Sequence, residues 1–199
     1  MNEIQLQFIW YLFFTGFVLT GIGLLFPLRI LKILDLQLFY FLYSKLSGNA
    51  RIFRILWPFG KTGFMVGVLG ILFLSNWYSG FCAIFCFIII ACFEKLIKLT
   101  MKRRRPFIFL PEIKMLQPHK PEDYSHPSGD AMRIWYLTFI IPSIFGWSLL
   151  LFSVFLSIAV LISFGRIAFA VHFPLDVAGG TGLGLIGAGL FYLIISIKL

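Results

Sequence analysis

Four stretches of the chain carry no charged residue. They are bounded by Glu3 and Arg29, by Lys61 and Glu94, by Arg133 and Arg166, and by Asp176 and Lys198. An apolar helix needs about 20 residues to cross a bilayer at a rise of about 1.5 Å per residue. The first and last stretches are therefore one helix long. The two inner stretches are too long for one helix and short for two, so each predicts a hairpin whose outer ends run on into charged residues. Asn76-Trp77-Tyr78-Ser79-Gly80 marks the first turn, and Pro142 to Gly146 the second. The pattern predicts an all-α integral membrane protein with six transmembrane helices, near 5–26, 60–77, 80–100, 128–144, 147–165 and 174–197.

The connections differ in kind. In residues 28–60, Ile30, Leu31, Ile33, Leu34, Leu36 and Leu38 alternate loosely with Arg29, Lys32, Asp35 and Gln37. That pattern predicts one or two short amphipathic helices lying in the membrane interface. Residues 101–127 form the longest polar connection and carry Pro106, Pro111, Pro118, Pro121 and Pro127. No composition shift divides the chain, so residues 1–199 read as a single membrane-embedded domain. Met1-Asn2-Glu3-Ile4 lacks the basic start of a signal peptide, so the first apolar segment is expected to stay as a span.

Composition agrees with that layout. Of 199 residues, 60% are apolar and 13% charged, against about 45–50% and about 25% in soluble domains. This excludes a disordered tail, a collagen-like repeat and an ordinary soluble enzyme. Cys82, Cys86 and Cys92 share one apolar stretch and read as small packing residues, not as a disulfide framework. The charge is less ordinary: 17 Lys and Arg face 8 Asp and Glu, for a net +9. Six spans put 16 of the 17 basic residues on one face, with Lys198 opposite. The positive-inside rule assigns such a face to the cytoplasm. Beside membrane spans a basic face meets lipid phosphates, so the bilayer and a lipid are the expected partners and nucleic acid is not.

The hairpin count also places ionisable residues at helix ends: Glu94, Lys95 and Lys98 on the third helix, Asp130 and Arg133 on the fourth. Ionisable groups at membrane depth are expensive and mark a functional site by default. Lys95 alone reads as a snorkelling side chain, and Glu94 with Lys98 as an i,i+4 pair.

Three segments carry chemistry, all on the basic face: Lys98 to Arg105-Pro106, His126-Pro127-Ser128-Gly129-Asp130, and Gly165-Arg166 to His172 and Asp176. Lys98, Arg105 and Arg166 are cations at the ends of apolar helices, suited to bind a phosphate. Ser128 can cap the helix that Pro127-Ser128-Gly129 opens, and its first N–H groups face an anion favourably. His172 and Asp176 lie four apart, so the carboxylate can hold the imidazole tautomer. A histidine so held beside a phosphate cradle is a candidate phosphoryl acceptor.

In order, spacing and common side, these segments resemble the type 2 phosphatidic acid phosphatase superfamily of membrane lipid phosphatases, bacterial type. Its motifs are K-x6-RP, PSGH and SR-x5-H-x3-D. Lys98 to Pro106 match the first, Pro127-Ser128-Gly129 match three positions of the second, and Arg166, His172 and Asp176 match the third, with Gly165 at its Ser position. Leu34-Asp35 to Phe39 is similar to the region after the first span in that family. The resemblance implies metal-independent hydrolysis of a lipid phosphate or diphosphate, with no cofactor. The substrates it brings are undecaprenyl diphosphate, phosphatidylglycerophosphate, phosphatidic acid or lipid A. It implies His172 as the nucleophile forming a phosphohistidine and Asp176 as its orienting base. Lys98, Arg105 and Arg166 would hold phosphoryl oxygens, with Ser128 and Gly129 adding hydrogen bonds. It also implies a bacterial inner membrane with the site on the extracytoplasmic face, against the charge rule.

The departure is Asp130, where the family has a histidine that protonates the leaving oxygen. Carboxylic acids titrate near pH 4 and are ionised at neutrality. Asp130 acts as the acid in protonated form, or His126 supplies the proton from four residues upstream, or the leaving group needs no help. Two other readings stay open: a catalytically impaired lipid-phosphate-binding membrane protein, and a phosphotransferase with an acceptor other than water. Gly182-Leu-Gly184-Leu-Ile-Gly187 spells a dinucleotide fingerprint but sits inside an apolar span with no strand before it, so it predicts tight helix packing instead.

Overall fold

A computed structural model describes residues 3–198, apart from the Lys198 side chain. Met1 and Asn2, and the Lys198 charge expected opposite the basic face, lie outside the described residues. All regular structure described is helical: α1 Glu3–Leu24, α2 Arg29–Leu46, α3 Ala50–Leu56, α4 Thr62–Ser75, α5 Trp77–Met101, α6 Pro106–Phe109, α7 Gly129–Phe145, α8 Leu149–Ala168 and α9 Pro174–Lys198.

Among the described residues four segments are long and apolar enough to cross a membrane: α1, α5 with its continuation to Phe109, α8 and α9. The segment Arg29–Gly60 meets α4 at a bend of 48°, and the two together pass the same test as a possible fifth. The six expected helices appear as α1, α4, α5, α7, α8 and α9. However, α4 has 14 residues and α7 has 17, or about 21 and 26 Å against a hydrocarbon core of about 30 Å. The expected interfacial stretch forms α2 and α3, joined by a 3-10 turn at Ser47–Asn49 and followed by another at Trp57–Gly60.

Both hairpin turns are tighter than the pattern predicts. The first shrinks to Asn76, whose side chain accepts from the Ser79 N–H at 3.0 Å and caps α5. The second excludes Pro142, which stays in the last turns of α7; the break comes at Gly146, where φ is +95°. Ser148 then caps α8.

Helix α9 is the hub of the bundle and packs on α1, α5 and α7. Its glycines explain the close approach. A Cβ at Gly182 would lie 2.4 Å from Thr20 Oγ1 on α1, one at Gly184 2.6 Å from the Met132 carbonyl on α7, and one at Gly187 2.7 Å from Ile90 Cδ1 on α5. Each glycine of the dinucleotide-like string thus faces a different helix, which accounts for it as packing. Cys82 and Cys86 join Tyr136, Leu137 and Phe191 in the main apolar core, and all three cysteines are free thiols. α9 carries Asp176 in its first turn, α8 ends near Arg166, and α7 opens at Asp130. The packing of these helix ends builds one polar cavity.

Candidate active site

The cavity has a volume of about 340 Å³ and is lined by Lys61, Lys98, Arg105 and Arg133, by Glu94, Asp123 and Asp130, and by Gly129, Gln117 and His172. That volume falls in the range of about 300–1,000 Å³ usual for small-ligand sites. A larger groove of about 560 Å³ lies elsewhere, around Phe8, Trp147 and Tyr192, and is mainly apolar.

His172 sits in the turn between α8 and α9 and is 4% exposed. The Arg105 Nη1 donates toward its Nε2 at 3.2 Å. A guanidinium only donates, so Nε2 carries the ring's lone pair and the proton is on Nδ1. Nδ1 lies 3.5 Å from Ser125 Oγ and 3.8 Å from Asp176 Oδ2. The expected His172–Asp176 hydrogen bond is therefore not direct in this structure. Ser125 stands between, donating to Asp176 Oδ2 at 2.5 Å. Burial and then the Arg105 cation push the His172 imidazole down to about 4, with Asp176 pulling the other way. The ring is thus neutral, with a lone pair on the cavity side, at neutral pH.

Asp176 is fully buried and heavily engaged. Oδ2 also accepts from the Phe173 N–H at 2.8 Å, and Oδ1 accepts from Arg103 Nη1 at 2.7 Å and contacts His126 Nδ1 at 3.2 Å. His126 is 0% exposed, packs on Phe26 and does not line the cavity. The structure places this proposed alternative acid behind Asp176. Arg103, which reads as part of a lipid-facing basic run, is instead buried. It also bonds Asp35, whose other oxygen accepts from the Leu175 N–H at 2.9 Å and so anchors the start of α9.

The phosphate-binding candidates divide. Lys98 and Arg105 reach the cavity, where both hold Asp123: Lys98 Nζ bonds Asp123 Oδ2, and Arg105 Nη2 donates to Oδ1 at 2.5 Å. Lys98 also pairs with Glu94 at 2.6 Å. Burial raises the Asp123 carboxyl, but Lys98 and then Arg105 outweigh it and hold it at about 2. Gly129 lines the cavity, whereas Ser128 does not. The Ser128 N–H donates to the Asp176 carbonyl at 2.9 Å, and its Oγ caps Ala131 N at 3.5 Å. Arg166 is 1% exposed, and its Nη1 donates to Asp130 Oδ2 and to Gln117 Oε1 at 3.2 Å.

Asp130 lies in the cavity wall, bonded by three cations. Besides Arg166, Lys61 Nζ reaches Oδ2 at 3.1 Å and Arg133 Nη2 reaches Oδ1 at 2.5 Å. Both oxygens accept from donors, so in this arrangement the carboxyl has no proton to give. Sequence reasoning did not assign Lys61, Arg133, Glu94, Asp123, Ser125, Gln117 or Arg103 to the site. Glu94 and Arg133 carried a signal, as ionisable residues at ends of apolar helices. Asp123 and Ser125 carried none, since only the fold of the 101–127 loop brings them here.

Residues 79–198 match the PAP2 superfamily. An undecaprenyl-diphosphatase from Sulfolobus acidocaldarius is 34% identical over 122 residues, covering 60% of this chain and 56% of its own length. The crystal structure of Aquifex aeolicus LpxE superposes with a TM-score of 0.66 at 26% identity, covering 83% of this chain and 96% of that one. A transmembrane PAP2-type phosphatidylglycerolphosphate phosphatase from Bacillus subtilis shares the fold, with a TM-score of 0.72 at 19% identity over 96% and 95% of the two chains. With its apolar helices and a family match over more than half its length, the chain is an integral membrane protein that belongs to the PAP2 superfamily.

Proposed function

We propose that the chain hydrolyses a membrane lipid phosphate or diphosphate through a phosphohistidine at His172. The observation that carries this reading is the imidazole: a neutral ring with its lone pair turned into a cationic cavity, backed by Ser125 and Asp176. The phosphoryl group displaces Asp123 from Lys98 and Arg105, and Arg105 leaves Nε2 to bind a phosphoryl oxygen. Nε2 then attacks phosphorus, and Asp176 stabilises the charge gained by the ring through Ser125. Water completes the turnover by attacking the phosphohistidine. Cationic side chains supply the charge stabilisation, so the reading requires no metal.

Undecaprenyl diphosphate, phosphatidylglycerophosphate, phosphatidic acid and lipid A all suit this reading, since each presents phosphate on an apolar anchor. We place the chain in an inner membrane with six spans, α4 and α7 being completed by their flanking residues, and the cavity on the extracytoplasmic side. A second reading, a lipid-phosphate-binding protein without turnover, draws on the capture of Asp130 by three cations. A phosphate-release screen over these lipids, with His172→Ala as control, separates the two. Release by the parent and none by the variant supports hydrolysis. Lipid binding without release by either supports the second reading.

A further inference from the structure

Cleavage of an alkyl phosphate needs a proton on the departing oxygen, because an alkoxide is far too basic to leave unaided. Among the side chains lining the cavity most cannot give one. Arg105 and Arg133 keep their protons at any physiological pH. Asp123 is ionised at neutral pH, held low by Lys98 and Arg105 in this structure and an ordinary carboxylate once a phosphoryl group displaces it from them. Glu94 accepts from Lys98, and both Asp130 oxygens accept from cations. His126 lies outside the cavity. Lys98 is held by two carboxylates, Glu94 and Asp123, at the position suited to grip phosphate.

Lys61 remains. It precedes α4 on a backbone tied to α7, since the Gly60 carbonyl accepts from Arg133 Nε at 2.8 Å. Glycine at 60 permits this approach, for a Cβ there would lie 3.1 Å from Asp130 Cβ. The Lys61 ammonium lines the cavity with 33% of its side chain exposed. It has three N–H groups. One points to Asp130 Oδ2 at 3.1 Å, and the group rests 4.7 Å from the centre of the Trp57 ring. Donor capacity is left over for a ligand in the cavity.

We propose that Lys61 protonates the leaving oxygen and that Asp130 is its positioning residue. This rests on the phosphatase reading. As His172 Nε2 bonds to phosphorus and the P–O bond to the leaving group breaks, the electron pair goes to oxygen and a Lys61 proton joins it. The neutral amine then takes a proton from the water that attacks the phosphohistidine. The sum is ester plus water giving alcohol plus phosphate, with Lys61 restored.

The test compares leaving groups. Lys61→Met and Lys61→Arg are assayed on short-chain phosphatidic acid in detergent micelles, whose alkoxide needs a proton, and on p-nitrophenyl phosphate, whose phenolate does not. Both variants are expected to lose about 10²–10⁴-fold in kcat on the alkyl ester and less than about tenfold on the aryl ester. Aryl turnover also reports that each variant is folded. Asp130→Asn should show the same bias at smaller size. Equal losses on both esters overturn the proposal and leave Lys61 a structural role. Retained alkyl turnover in Lys61→Arg overturns it in favour of charge alone. A parent that releases phosphate from undecaprenyl diphosphate but from neither ester overturns this proposal alone, since no alkoxide then departs. A parent inert on all three overturns the phosphatase reading with it.

Discussion

Replacing Arg103 by Met tests the frame behind His172, the proposed nucleophile. Arg103 joins Asp35 to Asp176, carboxylates whose side chains are both 0% exposed, and its guanidinium lies 4.3 Å from both the Phe26 and the Phe173 ring centres. Methionine fills most of the volume, so the change is chiefly one of charge. Removing one member of a buried ion pair costs about 3–5 kcal/mol, because the remaining charge is left uncompensated. Each lost cation–π contact adds about 0.5–2 kcal/mol. Two carboxylates are orphaned, but Asp35 keeps the Leu175 N–H while Asp176 keeps Ser125 and the Phe173 N–H. Those bonds place the expected loss near the lower end, about 4 kcal/mol, of which about 3 comes from the ion pairs and about 0.5 from each ring contact. Unfolding in detergent micelles measures it. Asp35→Asn removes one orphaned charge, so the double variant should fall short of the summed single losses by about 0.5–3 kcal/mol. A Met variant within about 0.5 kcal/mol of the parent, or strict additivity, refutes the reasoning.

The remaining predictions concern the cavity and the packing. Asp123→Asn should free Lys98 and Arg105 and tighten competitive inhibition by inorganic phosphate on the order of tenfold, about 1.4 kcal/mol. The Asp123 tie is fully present above its ordinary pH of 3.8 and is lost as pH falls toward about 2. Nitrogen NMR of labelled histidine should show His172 titrating near 4 instead of 6.5, and Arg105→Gln should raise it. Because that imidazole is depressed, the unfolded chain binds the extra proton first, and stability should fall as pH drops from 6.5 to about 4. Gly180→Ala puts a Cβ 2.2 Å from the Ser128 carbonyl and should cost about 1–3 kcal/mol in the same unfolding assay. Gly67→Ala meets nothing within 4 Å and should be neutral or stabilising by up to about 1 kcal/mol.

The helices were legible because apolar runs in lipid have one solution. Their ends were not, because Asn76 and Gly146 set the turns through a cap and a positive φ that hydropathy does not record. The proximity of His172, the proposed nucleophile, and Asp176 was legible from their four-residue spacing at one helix start. What that spacing could not reveal is that Ser125 would occupy the gap between His172 and Asp176, since it arrives from a loop 47 residues away in sequence. Arg103 misled for a related reason. Lys102-Arg103-Arg104 looks like part of the basic face that meets lipid phosphates, but Asp35 and Asp176 from distant elements draw its middle member into the core. Asp130 was visible as a departure from the family pattern and Arg133 as an ionisable residue three positions on along the same helix, whereas Lys61 becomes apparent only once the start of α4 meets α7.

The central claim is that phosphate passes through His172. Rapid quench of the chain with a radiolabelled lipid phosphate, followed by alkaline peptide mapping, tests it most directly. The account predicts label on the peptide carrying His172, acid-labile and alkali-stable, and absent in His172→Ala. Steady phosphate release by the parent with no such label, or by His172→Ala at the parental rate, would contradict it.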